Sequence, residues 1–217
     1  PYDTFKDFAG VTLAVRFPLV IAGSASVKSN DLKGFLEEAR QQPAKFSYAS
    51  TGLGSMNHLV MEDIKRRSKA DVLHVPYGGG GPAVQAVLSD TSQITLLSYA
   101  ALRAQIQAGK VKALAVTGSK RLADLPQVPT VAESGFPGFE AYSWIGIFAP
   151  AATPTSVLSK LTDDFKATLN HPEVHTKLTT GGFEVMATDG ASVDRYAREQ
   201  HERWAAFVRE TQIKLEQ

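Results

Sequence analysis

From Val11 to Thr117 the chain alternates short runs of apolar and β-branched residues with stretches whose apolar positions recur every three or four residues. That alternation marks strands feeding helices in parallel βα units. Val11 to Ala22 reads as extended, and Asn30-Asp31 offers a cap for a helix carrying Leu32, Phe35, Leu36 and Ala39 on one face up to Pro43. Phe46 to Ala49 predicts a short strand and Ser50-Thr51-Gly52-Leu53-Gly54 a turn. A helix starts near Ser55, with Met56, Leu59, Val60 and Ile64 facing one side. The cycle repeats with strand Val72 to Val75, loop Pro76 to Gly81 and helix Pro82 to Leu88. It repeats again with strand Gln93 to Leu97, helix Tyr99 to Gln107 and a stop at Gly109. Val111 to Thr117 is a further strand.

The segment from Ser119 to Ala141 breaks this rhythm, with Pro126, Pro129, Pro137, Gly135 and Gly138. It reads as a surface connection with one short helix near Thr130, where Glu133 stands at capping-box spacing. Trp144 to Phe148 is a strand. Two long amphipathic helices close the chain. Val157, Leu158, Leu161, Phe165 and Leu169 mark the first; Val193, Tyr196, Ala197, Trp204, Phe207 and Val208 mark the second. Between them, Pro172 to Leu178 suggests a short helix and Phe183 to Met186 a strand. Trp144 and Trp204 are expected in core or interlobe packing. The middle third is the most regular βα region and the natural candidate for a self-contained lobe.

Composition narrows the class. With 217 residues, 43% hydrophobic and 21% charged, the chain has material for a packed core and no bias toward disorder. No apolar run reaches the ~18 to 20 residues of a membrane helix. Lys plus Arg (23) nearly balances Asp plus Glu (22), so no basic field exists for nucleic acid or an anionic membrane. There is no cysteine, which excludes disulfides, thiolate metal sites and a cysteine nucleophile. The opening Pro1-Tyr2-Asp3 has neither a basic nor an apolar leader region, so no export signal is expected within this chain.

The candidate chemistry gathers at two glycine-bearing turns. Tyr48 to Leu59 combines a strand, a hydroxyl-rich turn and a helix start. Unpaired N–H groups, the positive end of the helix dipole and the hydroxyls of Ser50, Thr51 and Ser55 together suit a small anion such as a carboxylate. Ser55 as an ordinary N-cap in a tight turn is the simpler alternative. The second turn, His74-Val75-Pro76-Tyr77 followed by Gly78 to Gly81 and Pro82, lacks the Lys-Ser/Thr pair of a phosphate loop and the spaced glycines of a dinucleotide fingerprint. Both turns leave the carboxyl ends of strands, where open α/β sheets bind ligands. His58 stands one turn into its helix, and protonation there would strengthen anion binding at mildly acidic pH; a packing histidine without linkage is the alternative. His171 and His175 are spaced i, i+4, but no third metal ligand accompanies them. Ser55 with His58 lacks the elbow and the orienting acid of a nucleophile pair.

Ser50-Thr51-Gly52-Leu53-Gly54-Ser55 with His58-Leu59, and His74-Val75-Pro76-Tyr77 with the glycine run and Pro82-Ala83, closely resemble the tripartite tricarboxylate transporter substrate-binding proteins, the Bug-type extracytoplasmic solute receptors. The resemblance continues through Ala108 to Thr117, Leu125 to Gly135, Ser143-Trp144-Ile145-Gly146, Phe148-Ala149-Pro150 and the helix containing Trp204. It implies an α/β fold of the two-lobed periplasmic-binding-protein type II architecture, with a small organic acid held in the cleft. Leu19 to Ala22 and Val116 to Ser119 would be the crossovers. Residues 21–118 would form the second lobe. Residues 1–20 and 119–217 would form the first, which is expected to be partial because the family's opening strand and glycine-rich loop have no counterpart here. The implied ligand-binding residues are Ser50, Thr51, Gly52, Gly54, Ser55 and His58, then Tyr77, Gly79 and Gly80, and Ser98 at the end of the third cleft strand. Two positions depart from the family pattern: Gly78 replaces a common lysine, and Leu97 stands where an acidic residue often precedes the serine.

The expected function is therefore non-enzymatic: a periplasmic receptor that delivers a small carboxylate to a membrane transporter, with no cofactor, no metal and no nucleic-acid partner. The alternative keeps the fold and drops transport, leaving a truncated paralogue that acts as a sensor or interaction module. Self-association through an incomplete first lobe is a further expectation, because an unpaired strand edge invites pairing.

Overall fold

The computed structural model describes residues 2–213. These divide into two compact α/β units, one built from 2–17 and 143–213, the other from Pro18–Tyr142. Asp3 caps a single helical turn, α1 (Thr4–Asp7), by accepting the Phe5 N–H. The long strand β1 (Phe8–Gly23) follows, and the division between the units falls within it at Phe17/Pro18.

The unit Pro18–Tyr142 continues with α2 (Leu32–Gln41), β2 (Phe46–Ser50), α3 (Met56–Ser68), β3 (Val72–Pro76), α4 (Gly80–Leu88), β4 (Ile94–Ser98), α5 (Tyr99–Gln107) and β5 (Lys112–Val116). These are the elements that the hydrophobic periodicity predicts, with ends moved by one or two residues. Asp31 opens α2 by accepting the Gly34 N–H at 2.7 Å, and Leu32, Phe35, Leu36 and Ala39 are buried. The sheet order is β3-β2-β4-β1-β5. β2 pairs parallel with both β3 and β4, while Leu19–Gly23 of β1 runs antiparallel to β4. Val20, Ala22, Ala49, Leu97 and Val116 from the sheet pack with Ala83, Val87 and Leu102 from the helices.

The connection from Ser119 to Ala141 packs with this unit, not with the first lobe where sequence reasoning places it. Val131 N–H donates to Val116 O and Ala141 N–H to Thr117 O, each at 2.9 Å, so the segment is laced to the end of β5. The expected capping box forms: Thr130 N–H donates to Glu133 Oε2 at 2.7 Å, and Glu133 N–H to Thr130 Oγ1 at 3.1 Å. Yet the turn does not grow into a helix. Gly135 and Pro137 follow too closely for a second turn to propagate.

The other unit adds β6 (Tyr142–Pro150), α6 (Thr155–Asn170), α7 (Pro172–Thr180), β7 (Glu184–Val185) and α8 (Gly190–Thr211). β6 and β7 both pair with β1. Beside the Val15↔Val185 pairing, Arg16 Nε meets Glu184 Oε2 at 2.7 Å. Trp144 stands edge-on to Tyr196, and Trp204 to Phe207. The apolar face of α6 is less covered than its periodicity implies: among its described residues only Leu169 is buried, and Val157 is 46% exposed.

Candidate functional site

Because β2, β3 and β4 are parallel, their carboxyl ends, Ser50, Pro76 and Ser98, lie along one edge of the sheet. Each end feeds a helix: α3 is capped by Ser55, α4 by Gly79 and α5 by Ser98. Three helix amino termini therefore open along one sheet edge, with the turn after the middle strand between the other two. Each presents partial positive charge, and together they favour an anion more than one would alone.

The β2–α3 turn is internally bonded to a degree that sequence reasoning misses. Gly52 O accepts the Ser55 hydroxyl at 2.7 Å, the Ser50 hydroxyl at 3.1 Å and the Ser55 N–H at 3.3 Å. Gly52 N–H donates back to Ser50 Oγ at 3.2 Å, and Gly54 N–H donates to His58 Nδ1 at 3.1 Å. Ser55 Oγ accepts the His58 N–H. The Thr51 hydroxyl donates to Asn57 Oδ1 at 2.7 Å, and Asn57 Nδ2 donates to Leu96 O of β4. The hydroxyls of Ser50, Thr51 and Ser55 thus shape the turn, where the sequence reading made them ligand donors. Met56 and Asn57 hold the first two positions of α3, and N–H groups there have no intrahelical acceptor.

Beneath the turn lies a stack of rings. His74 of β3 packs on Tyr48 of β2, its register partner, with centroids 4.8 Å apart, and on His58 of α3 at 4.0 Å with planes 8° apart. Its Nε2 is 2.6 Å from Ser50 Oγ. The Tyr48 hydroxyl donates to Glu62 Oε1 at 2.7 Å, and Lys65 Nζ reaches the same oxygen at 2.6 Å. Burial and the neighbouring His58 hold His74 well below the ordinary 6.5, at about 4; burial also lowers His58. Burial and the Glu62 carboxylate push the Tyr48 hydroxyl up. The expectation of a protonated, anion-facing His58 is therefore reversed: its Nδ1 is an acceptor turned toward Gly54.

The structure brings the remaining sequence candidates to the same edge. Tyr77 N–H donates to Ser50 O at 3.1 Å, which ties the glycine loop to the end of β2. Gly79 adopts φ +135° and Gly52 φ +133°, backbone that only glycine holds without strain. Gly80 begins α4, and Ser98 accepts the Ala101 N–H at 3.4 Å. Met56, Asn57 and His74 are the residues that sequence reasoning did not assign. Ser55 and His58 do not form a nucleophile pair, since the Ser55 proton goes to Gly52 O. His171 and His175 lie at the start of α7, and no group of three His, Asp or Glu placed for a metal occurs among the described residues. A hollow of about 370 Å³ lies elsewhere in this unit, beside α2, the end of α3 and Ser134 to Pro137. Two of its cations are already engaged: Arg40 donates to Ser68 O, and Arg67 to Asp63.

The family model described as "Tripartite tricarboxylate transporter family receptor" matches residues 1–213. The chain belongs to this family. It is 34% identical across its full length to the "UPF0065 protein in tcbD-tcbE intergenic region" of a Pseudomonas species and covers 65% of that protein. It is 29% identical over 99% of its length to BugT of Bordetella pertussis and covers 66% of it. The chain thus spans about two thirds of the length of these curated relatives. Among solved structures, the periplasmic binding protein BugD matches with a TM-score of 0.91 at 29% identity, over 98% of this chain and 72% of that one. R. palustris Rpa4515 with adipate matches at 0.92 and 29%, over 96% and 70%. MatC from Rhodopseudomonas palustris with bound malate matches at 0.88 and 29%, over 95% and 71%. By its description the family is one of receptors, and the chain shares the α/β fold of the periplasmic binding protein BugD.

Proposed function

We propose that this chain is the ligand-binding part of an extracytoplasmic, periplasmic receptor for a small dicarboxylate, and that it serves a tripartite tricarboxylate-type membrane transporter. One carboxylate of the ligand rests at the amino terminus of α3, against the N–H groups of Met56 and Asn57, with the turns at Tyr77–Gly80 and Ser98 beside it. The single observation that carries the reading is the row of three helix starts on parallel strand ends. Its sequence contains no Lys or Arg from Ser50 to Asn57, from Pro76 to Gly81 or at Leu97-Ser98, so backbone dipoles supply the attraction. Adipate and malate, named with two of the structural neighbours, are the first ligands to try.

Calorimetric titration with acetate, malate, adipate and citrate tests this, together with Met56→Pro. Proline is well tolerated at the first helical position and lacks an N–H, and Ser55 already has the extended backbone (ψ 157°) that precedes proline comfortably. The variant should fold as before and lose about 1.5 to 3 kcal/mol of affinity, the contribution of one hydrogen bond to a charged group. Absence of binding by every acid, or full affinity in the variant, would overturn the reading.

A further inference from the structure

We infer that His74 is a positioning residue of the carboxylate turn, and that its stack with His58 makes ligand affinity fall as the medium acidifies. The inference rests on the reading above and assigns a role to a residue that the ligand does not touch.

The turn is pinned at both ends by this pair of rings. At its start, His74 Nε2 lies 2.6 Å from Ser50 Oγ, the atom that also receives the Gly52 N–H and sends its proton toward Gly52 O. At its end, His58 Nδ1 accepts the Gly54 N–H. An acceptor nitrogen carries no proton, so the observed turn requires neutral His58. A proton at Nδ1 would face the Gly54 N–H, donor against donor, and would open the turn that presents the Met56 and Asn57 N–H groups. The two rings stand 4.0 Å apart and nearly parallel, so charge on either disfavours charge on the other. The charged and titratable groups facing the pair are few. From β2 comes Tyr48, whose hydroxyl is held by Glu62; from α3 come Glu62 and Lys65, themselves paired. Glu62 attracts a proton to the pair and Lys65 repels one. The depressed His74 value keeps the pair neutral at neutral pH, so the turn is set where the ligand is to be held and loosens in acid.

Two variants separate the parts of this device. His58→Gln keeps a polar side chain beside Gly54 and removes the titration; His74→Phe keeps the ring stack and removes the bond to Ser50. Malate affinity is measured by calorimetry from about pH 7.5 to about pH 4.5, a range that spans histidine titration. Protonation of malate itself is common to all proteins and cancels in the comparison. Native affinity should fall at least about tenfold more than that of His58→Gln across this range, and His74→Phe should bind at least about tenfold more weakly than native at neutral pH, the scale of one lost hydrogen bond. In the ligand-free native protein, the Gly54 amide resonance should move on acidification with the same midpoint as the His58 ring, a shift that a merely structural histidine would not produce. Identical pH profiles for native and His58→Gln, or a Gly54 amide indifferent to His58 titration, would overturn the inference. If Met56→Pro weakens malate binding while the histidine variants keep the native profile, this inference fails alone; if Met56→Pro is also silent, the ligand site itself has been misplaced.

Discussion

Asn57 joins two strands' worth of structure through one side chain: its Oδ1 accepts the Thr51 hydroxyl, and its Nδ2 donates to Leu96 O in the neighbouring strand. Both Asn57 and Leu96 are buried. Asn57→Ala therefore removes one donor from the buried Leu96 carbonyl and the acceptor of the half-buried Thr51 hydroxyl, at about 1 to 3 kcal/mol in all. Urea unfolding should report a loss in that range, and malate affinity should fall with it, because the helix start is no longer anchored to β4. A variant with native stability would show that the amide is dispensable.

The glycine run divides into one constrained position and others without constraint. Gly79 holds φ +135°, whereas a Cβ at Gly78 or Gly81 would meet nothing within 4 Å. Gly79→Ala should cost about 1 to 3 kcal/mol of backbone strain. Gly81→Ala, in the first turn of α4, should stabilise by about 0.5 to 1 kcal/mol. Thermal melts of the two variants moving in the same direction would contradict this division.

Stability should also depend on pH through His74. The unfolded chain takes up a proton at the ordinary 6.5, the folded chain only near 4, so the unfolded state binds more protons between these values. The stability present above pH 6.5 is lost progressively as the pH falls toward 4. Urea midpoints across this range should decline more steeply for the native protein than for His74→Gln. Equal slopes would mean that His74 is protonated in the fold at its ordinary value.

The alternation of strand and helix was legible because hydrophobic periodicity reports directly on burial, as the inward face of α2 (Leu32, Phe35, Leu36, Ala39) illustrates. The Ser50 to Ser55 turn was legible for a similar reason: its hydroxyls, glycines and helix start are contiguous. What the sequence hid was pairing. That Tyr48 stands beside His74, and that Asn57 reaches Leu96, depends on strand register and strand order, which local pattern does not encode. The direction of the hydroxyl protons was hidden too. Ser55 reads as a ligand donor until the Gly52 carbonyl is seen to take its proton. The missing helix near Thr130 shows the opposite error, a genuine capping box read as the start of an element that Gly135 and Pro137 then prevent.

The most direct measurement is a malate or adipate titration of the uniformly ¹⁵N-labelled protein, followed amide by amide. A carboxylate at the amino terminus of α3 should move the N–H resonances of Met56 and Asn57 most, with the Tyr77–Gly80 and Ser98 turns next and the edge of α2 unmoved. Saturable shifts confined to other parts of the chain, with Met56 and Asn57 silent, would contradict the account.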